Sequence, residues 1–117
     1  MDGLGQQGLQ TLSIPTDATG VLEVELCLVL GARRVVLFAS LNEAEAAQYR
    51  RLARVFQRSG FATLVFDLGH TPPTALGRHL LAVSEWAAHN PRTHHLEQAF
   101  FGGQSIAQIA RRAAQLR

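Results

Sequence analysis

The runs Arg34-Val35-Val36-Leu37-Phe38-Ala39-Ser40 and Phe61-Ala62-Thr63-Leu64-Val65-Phe66 show almost no alternation of apolar and polar residues. A strand covered on one face alternates, because successive side chains point to opposite sides; a strand covered on both faces does not. Both runs therefore read as strands inside a sheet with a layer on each side. Between them, Glu43 to Ser59 spaces Ala46, Ala47, Leu52, Ala53, Val55 and Phe56 at a helical period. Asn42 or Ser40 can cap that helix. Glu43 and Glu45 fall in its first turn, Arg54 and Arg58 lie near its last, and Gly60 ends it. A buried strand, a helix and a second buried strand form a crossover unit, which joins parallel neighbours with a right-handed connection.

The pattern extends in both directions. After Asp67-Leu68-Gly69-His70, Thr71 with Pro72 and Pro73 opens a second helical stretch. Its stripe is Leu76, Leu80, Leu81, Val83, Ser84 and Ala87, and Pro91 breaks it after His89 or Asn90. Leu96 to Phe101 predicts a third buried strand and Gly102-Gly103-Gln104 a sharp turn. Ser105 to Leu116 predicts a last helix, in which Ser105 and Gln108 have capping-box spacing. Toward the N-terminus, Gly31-Ala32-Arg33 is a turn. Val21 to Leu28 alternates Glu23, Glu25 and Cys27 against Leu22, Val24 and Leu26, as a half-exposed antiparallel strand near a sheet edge does. Gln10 to Ile14 predicts a short strand and Asp17-Ala18-Thr19-Gly20 a turn. Residues 1–9 read as a flexible segment and 10–117 as a single domain. The order is β-β-β-α-β-α-β-α. It predicts the α/β class: a three-layer sandwich with a mostly parallel sheet and an N-terminal antiparallel hairpin.

Composition narrows the class. Hydrophobic residues make up 47% of the 117 and charged residues 17%, which is globular and not disordered. Cys27 is the one cysteine, so no internal disulfide forms, and a cytoplasmic location is expected. No basic region followed by an apolar core opens the sequence at Met1-Asp2-Gly3-Leu4-Gly5, and runs such as Leu26 to Leu30 are too short to cross a bilayer. The formal net charge is +2, and arginine supplies all eleven basic residues. They read as solvated helix faces, with no nucleic-acid and no membrane partner expected, because no recognition module accompanies them.

The tract Gly60 to Leu68, with Val35-Val36-Leu37-Phe38-Ala39 before it and Phe101-Gly102-Gly103 after it, resembles the α/β-hydrolase fold in its dienelactone-hydrolase-like branch. The likeness covers residues 10–116 and corresponds to the first half of such a hydrolase. It implies an oxyanion-hole loop after the first buried strand and a nucleophile elbow, Gly-x-Ser-x-Gly, after the third. The chain departs from the family at both places. Ser40-Leu41-Asn42-Glu43 stands where the family has a His-Gly-rich loop. Gly102-Gly103-Gln104-Ser105-Ile106 stands where the elbow belongs, which puts Gln104 in the nucleophile position and Ile106 in that of the second glycine. An amide cannot be activated by a histidine to attack a carbonyl. The triad acid and histidine would lie in the second half of a full hydrolase.

Ligands of open α/β sheets bind beyond the carboxyl ends of the strands. Those ends carry Ser40, Asn42, Asp67, His70, Gln104 and Ser105, and the six are expected to line one crevice. Ser105, Ser40 and His70 are the candidates for chemistry. No metal site is expected, since His94-His95 has no third ligand nearby, and no cofactor is expected, since Gly102-Gly103 lacks the dinucleotide and Walker patterns. Leu96 to Phe101 should form a bare sheet edge, which a second copy would cover. A homodimer through Leu96–Phe101 and Ser105–Leu116 is the expected partner arrangement. The expected function is a non-catalytic hydrolase-like protein acting through self-association or binding. The alternative is a small serine hydrolase or esterase with a non-standard site.

Overall fold

The computed structural model describes residues 9–16 and 20–115, with the side chains of 113–115 left aside. Five strands form one sheet: β1 (Leu9–Pro15), β2 (Val21–Cys27), β3 (Arg34–Ser40), β4 (Ala62–Asp67) and β5 (Glu97–Phe101). The helices are α1 (Glu43–Arg58), α2 (Leu76–His89) and α3 (Gln104–Gln115), with one 3₁₀ turn at Pro73–Ala75. The spatial order is β1-β2-β4-β3-β5. β3 pairs in parallel with β4 and with β5, while the β1–β2 hairpin joins β4 antiparallel through β2. The expected class and element order are therefore what the chain adopts. Of the segment 1–9, only Leu9 lies within the described residues, where it opens β1; of the predicted turn 17–20, only Gly20 does.

β3 sits at the centre because its sequence leaves no other place for it. Val35, Leu37 and Ala39 point into one layer with Leu64, Phe66, Leu80, Val83, Ala87 and Ile106. Val36 and Phe38 point into the other, with Val65 and Ala53. Helices α2 and α3 thus cover one face and α1 covers the other. Phe38 is fully buried, and its ring lies 5.4 Å from Phe56 and 5.2 Å from Phe101, with Phe56 nearly edge-on.

Local signals set the helix ends. The Asn42 side chain accepts the Glu45 backbone N–H at 2.8 Å, which satisfies one of the orphan donors at the start of α1. Gly60 follows the helix with φ +95°, the left-handed conformation that a C′ residue needs. α3 begins two residues earlier than Ser105 would allow as a cap. Gly103 O accepts from Ala107 N, so Gly103 is the capping position and Ser105 is the second helical residue. Its side chain therefore does not take the capping role that its spacing predicts.

β5 also differs from expectation. The run Leu96–Phe101 predicts a strand buried on both faces, yet Glu97, Ala99 and Phe101 are exposed. Within the described residues β5 pairs only with β3, so it is an edge, and α1 lies mainly over β3 and β4, reaching β5 at Phe101 through the Tyr49 and Phe56 rings. Its inner side is held by a two-way clamp: Ser84 Oγ donates to Gln98 Oε1 at 2.6 Å, and Gln98 Nε2 donates to Ser84 O at 2.8 Å.

The turn from β5 into α3 depends on Gly102. A Cβ there would lie 2.7 Å from Ile106 Cγ2 and 3.0 Å from Ala39 O, closer than van der Waals contact allows. Gly102→Ala is expected to lower stability by about 1–3 kcal/mol, the usual cost of overpacking. In urea unfolding, the loss in Gly102→Ala/Ile106→Ala should fall somewhat short of the sum of the single losses, because the second change removes the nearest clashing atom, Ile106 Cγ2, and leaves Ile106 Cβ at 2.8 Å.

Candidate functional site

The six polar residues expected to share a crevice fall in four places. Ser40 ends β3 and Asp67 ends β4, and the two are register partners across the parallel pair. Ser40 Oγ lies 3.0 Å from Asp67 Oδ1 and 3.3 Å from Phe66 O, and the residue is fully buried. Asp67 Oδ1 also accepts the Gly69 N–H at 3.0 Å. The pair thus ties the ends of two strands to the loop after β4. Gly69 is required there, since a Cβ would meet Leu41 O at 2.8 Å. A fully buried hydroxyl lacks the exposure that a nucleophile needs.

The second group starts α1. Asn42 is spent as its N-cap. Glu45, three residues on, reaches back so that Oε1 accepts the Leu41 N–H at 2.8 Å, a close variant of the capping box. Its Oε2 lies 3.9 Å from the point where a Gly103 Cβ would stand. A carboxylate of the chain itself therefore occupies the amide of the loop after β3 and faces the turn after β5. Burial pushes the Tyr49 phenol above its ordinary range, and the Glu45 carboxylate adds to the shift. The Asn42-x-x-Glu45 spacing was a signal for this contact; nothing in the sequence showed where the second carboxylate oxygen would point.

The third group is Gln104 and Ser105, both exposed in the first turn of α3. A nucleophile elbow holds its serine on a sharp, strained strand-to-helix turn. Among the described residues, no residue other than glycine has a positive φ, so Gln104 sits on relaxed helical backbone. Ile106 packs over Gly102 where the elbow has its second glycine.

His70 lies elsewhere. With Asp67 it lines a hollow of about 210 Å³ whose other walls include Thr11, Glu23 and Glu25 of the hairpin and Arg50 of α1. Neither Gln104 nor Ser105 lines it. A larger hollow of about 330 Å³ adjoins it, lined by Cys27, Arg54, Gln57 and Thr63 among others. The Arg50–Glu25 ion pair, 3.1 Å, borders both. Cys27 is buried, and desolvation raises its thiol pKa, which suits an inert strand residue. One hydroxyl does lie within reach of an imidazole at this end of the sheet: Thr71 Oγ1 is 3.3 Å from His79 Nδ1. Neither residue stood out in the sequence, because eight positions and a proline pair separate them. Among the described residues no group of three or more His, Cys, Asp or Glu side chains could hold a metal ion.

Glu45→Ala should lower stability by about 1 kcal/mol, since it strips an acidic residue and its amide contact from a helix start. Thermal unfolding measures this, and Asn42→Ala should cost a similar amount through the same turn.

No family model matches the chain, and no curated protein matches it by sequence. Solved structures do. A dienelactone hydrolase from Anabaena variabilis superposes with a TM-score of 0.77 at 27% identity, covering 95% of this chain and 59% of its own. An esterase from Pyrococcus furiosus gives a TM-score of 0.69 at 20% identity, covering 89% of this chain and 45% of its own. An alpha-beta serine hydrolase homologue from Coxiella burnetii gives 0.67 at 16% identity, covering 92% of this chain and 56% of its own. The last two likenesses show the fold; the first adds sequence identity to it. The chain thus has the fold of a partial α/β-hydrolase domain, with sheet order β1-β2-β4-β3-β5, is most similar among these three to the dienelactone hydrolase, and spans less than two thirds of the length of each.

Proposed function

We propose that this chain is a non-catalytic α/β-hydrolase-like protein that acts by binding, including binding to itself. The observation that carries the reading is the turn after β5. Gln104 stands in the nucleophile position on unstrained backbone, and Ile106 fills the space above Gly102. Two further contacts support it. Glu45 takes the loop amide that an oxyanion would need. Ser40 is engaged by Asp67 and closed off from solvent.

Self-association is the binding mode that the edge strand favours. Among the described residues the outer side of β5 has no strand partner, and Phe101 beside it is 37% exposed. A second copy pairing along Leu96–Phe101, with the helix that starts at Gln104 packing across it, would cover that side. Light scattering at micromolar concentration should give twice the 12.8 kDa chain mass.

A second reading is favoured by the relatives, whose names are those of hydrolases and esterases. On that reading the chain contributes to ester hydrolysis through a non-standard hydroxyl, with Ser105 or the Thr71–His79 pair as the nearest candidates. No helix of the described residues is long and apolar enough to cross a membrane, which suits either reading.

Hydrolysis of p-nitrophenyl acetate and butyrate separates the two. The expected rate equals that of buffer, and Gln104→Ser alone should not raise it, because among the described residues His70 lines a hollow that excludes position 104 and His79 is engaged by Thr71. A rate above buffer that disappears in Ser105→Ala or in Thr71→Val would establish the second reading instead.

A further inference from the structure

Six of the eleven arginines, scattered in sequence, lie toward one pole of the folded chain. β3, β4 and β5 run parallel, so all three start at the same end of the sheet. Arg33 and Arg34 stand where β3 begins. α1 descends from the opposite end and brings Arg54 and Arg58 down beside the start of β4. α2 descends likewise, and the loop that follows it carries Arg92, His94 and His95 to the start of β5. Adjacent strands lie about 5 Å apart, so the starts of β4, β3 and β5 fall within roughly 10 Å of one another. The Arg33 carbonyl accepts the Glu97 N–H at 3.0 Å, which holds the two loops together. All of these arginines and both histidines are exposed. The last turn of α3 adds Arg112 on the same side of the molecule.

Little acid offsets this cluster. Glu97 pairs with Arg34 at 3.0 Å, and Glu85 lies one helical turn before His89. The other described acids sit away from it: Glu43 and Glu45 start α1, Asp67 ends β4, Glu23 lies beside it, and Glu25 is engaged by Arg50. A formal charge of only +2 therefore conceals a separation along the strand direction, acidic where the parallel strands end and basic where they begin. Such a separation orients an approaching polyanion toward one face. Guanidinium groups suit phosphate in particular, since their planar forks donate two parallel hydrogen bonds to its oxygens.

Against the expectation from sequence that these arginines are only solvated helix faces, we propose that this basic pole binds the phosphate backbone of nucleic acid, with Arg33, Arg58 and Arg92 as the central contacts. The binding is electrostatic and independent of sequence. It stands apart from the site at the other end of the sheet, and neither reading of that site is needed for it.

Fluorescence anisotropy with a labelled twenty-nucleotide oligothymidylate tests the proposal on the whole chain. Five phosphate contacts predict a log–log salt slope of about −3.5, so affinity should fall about 100-fold between 50 and 200 mM salt. The triple variant Arg33→Gln/Arg58→Gln/Arg92→Gln should reduce the slope by about 2 and weaken binding at least tenfold at 50 mM salt. These positions are exposed, and circular dichroism checks that the variant keeps its fold. Arg78→Gln, at the start of α2 on the opposite pole, should bind as the parent does. The proposal is overturned by absence of binding at 50 mM salt, or by equal weakening in Arg78→Gln and the triple variant. It is also overturned if the chain sediments with phosphatidylserine vesicles while leaving the oligonucleotide free, since the pole would then read a membrane surface.

Discussion

A strand buried from Val35 to Ala39 on both of its faces needs a layer on each side, and the rest of this molecule is arranged to supply them. A parallel neighbour can be reached only by a crossover, and the crossover is the covering helix. α1 closes the face that holds Phe38; α2 and α3 close the face that holds Leu37. The same connections decide where loops go. Every strand-to-helix loop lies at one end of the sheet and every helix-to-strand loop at the other. The polar residues at the two ends were thus separated by the covering of an apolar strand.

The carboxyl end shows polar side chains at strand ends taking up structural work. Asn42 and Glu45 are engaged in starting α1, Ser40 and Asp67 in tying β3 to β4, and Ile106 in packing over Gly102. Each is a satisfied contact of ordinary kind. In a catalytic site the same places hold strain and unpaired donors, which are costly and persist only where surrounding structure maintains them. Here the loop amide already has an acceptor and the elbow backbone is relaxed.

The fold was largely legible in the sequence, and for a reason. Val35–Phe38 and Ala62–Phe66 are apolar without alternation, α1 has an amphipathic stripe with Asn42 and Gly60 at its ends, and the β1–β2 hairpin alternates. Those are local consequences of burial, and they survive in the order of residues. The site was less legible. Ser40, Asn42, Asp67, His70, Gln104 and Ser105 all belong to the expected end of the sheet, but Asp67 and His70 face the hairpin and α1, whereas Gln104 and Ser105 face solvent on α3. Which way a loop side chain turns depends on the neighbours it meets, and none of those neighbours is close in sequence. The same reason hid the exposed side of β5, since the placement of α1 over β4 was decided by Phe56, Phe61 and Phe38 together.

By itself, then, the order of residues determined the class, the element sequence and the two strands buried on both faces, β3 and β4. Each of those follows from periodicity or from capping residues. Only the tertiary structure decided that Glu45 would take the Leu41 amide, that Thr71 would lie beside His79, and that arginines 33, 54, 58 and 92 would meet at one pole. These are distances between segments that the chain brings together only when right-handed crossovers stack the helices on the sheet. No local pattern encodes a distance of that kind.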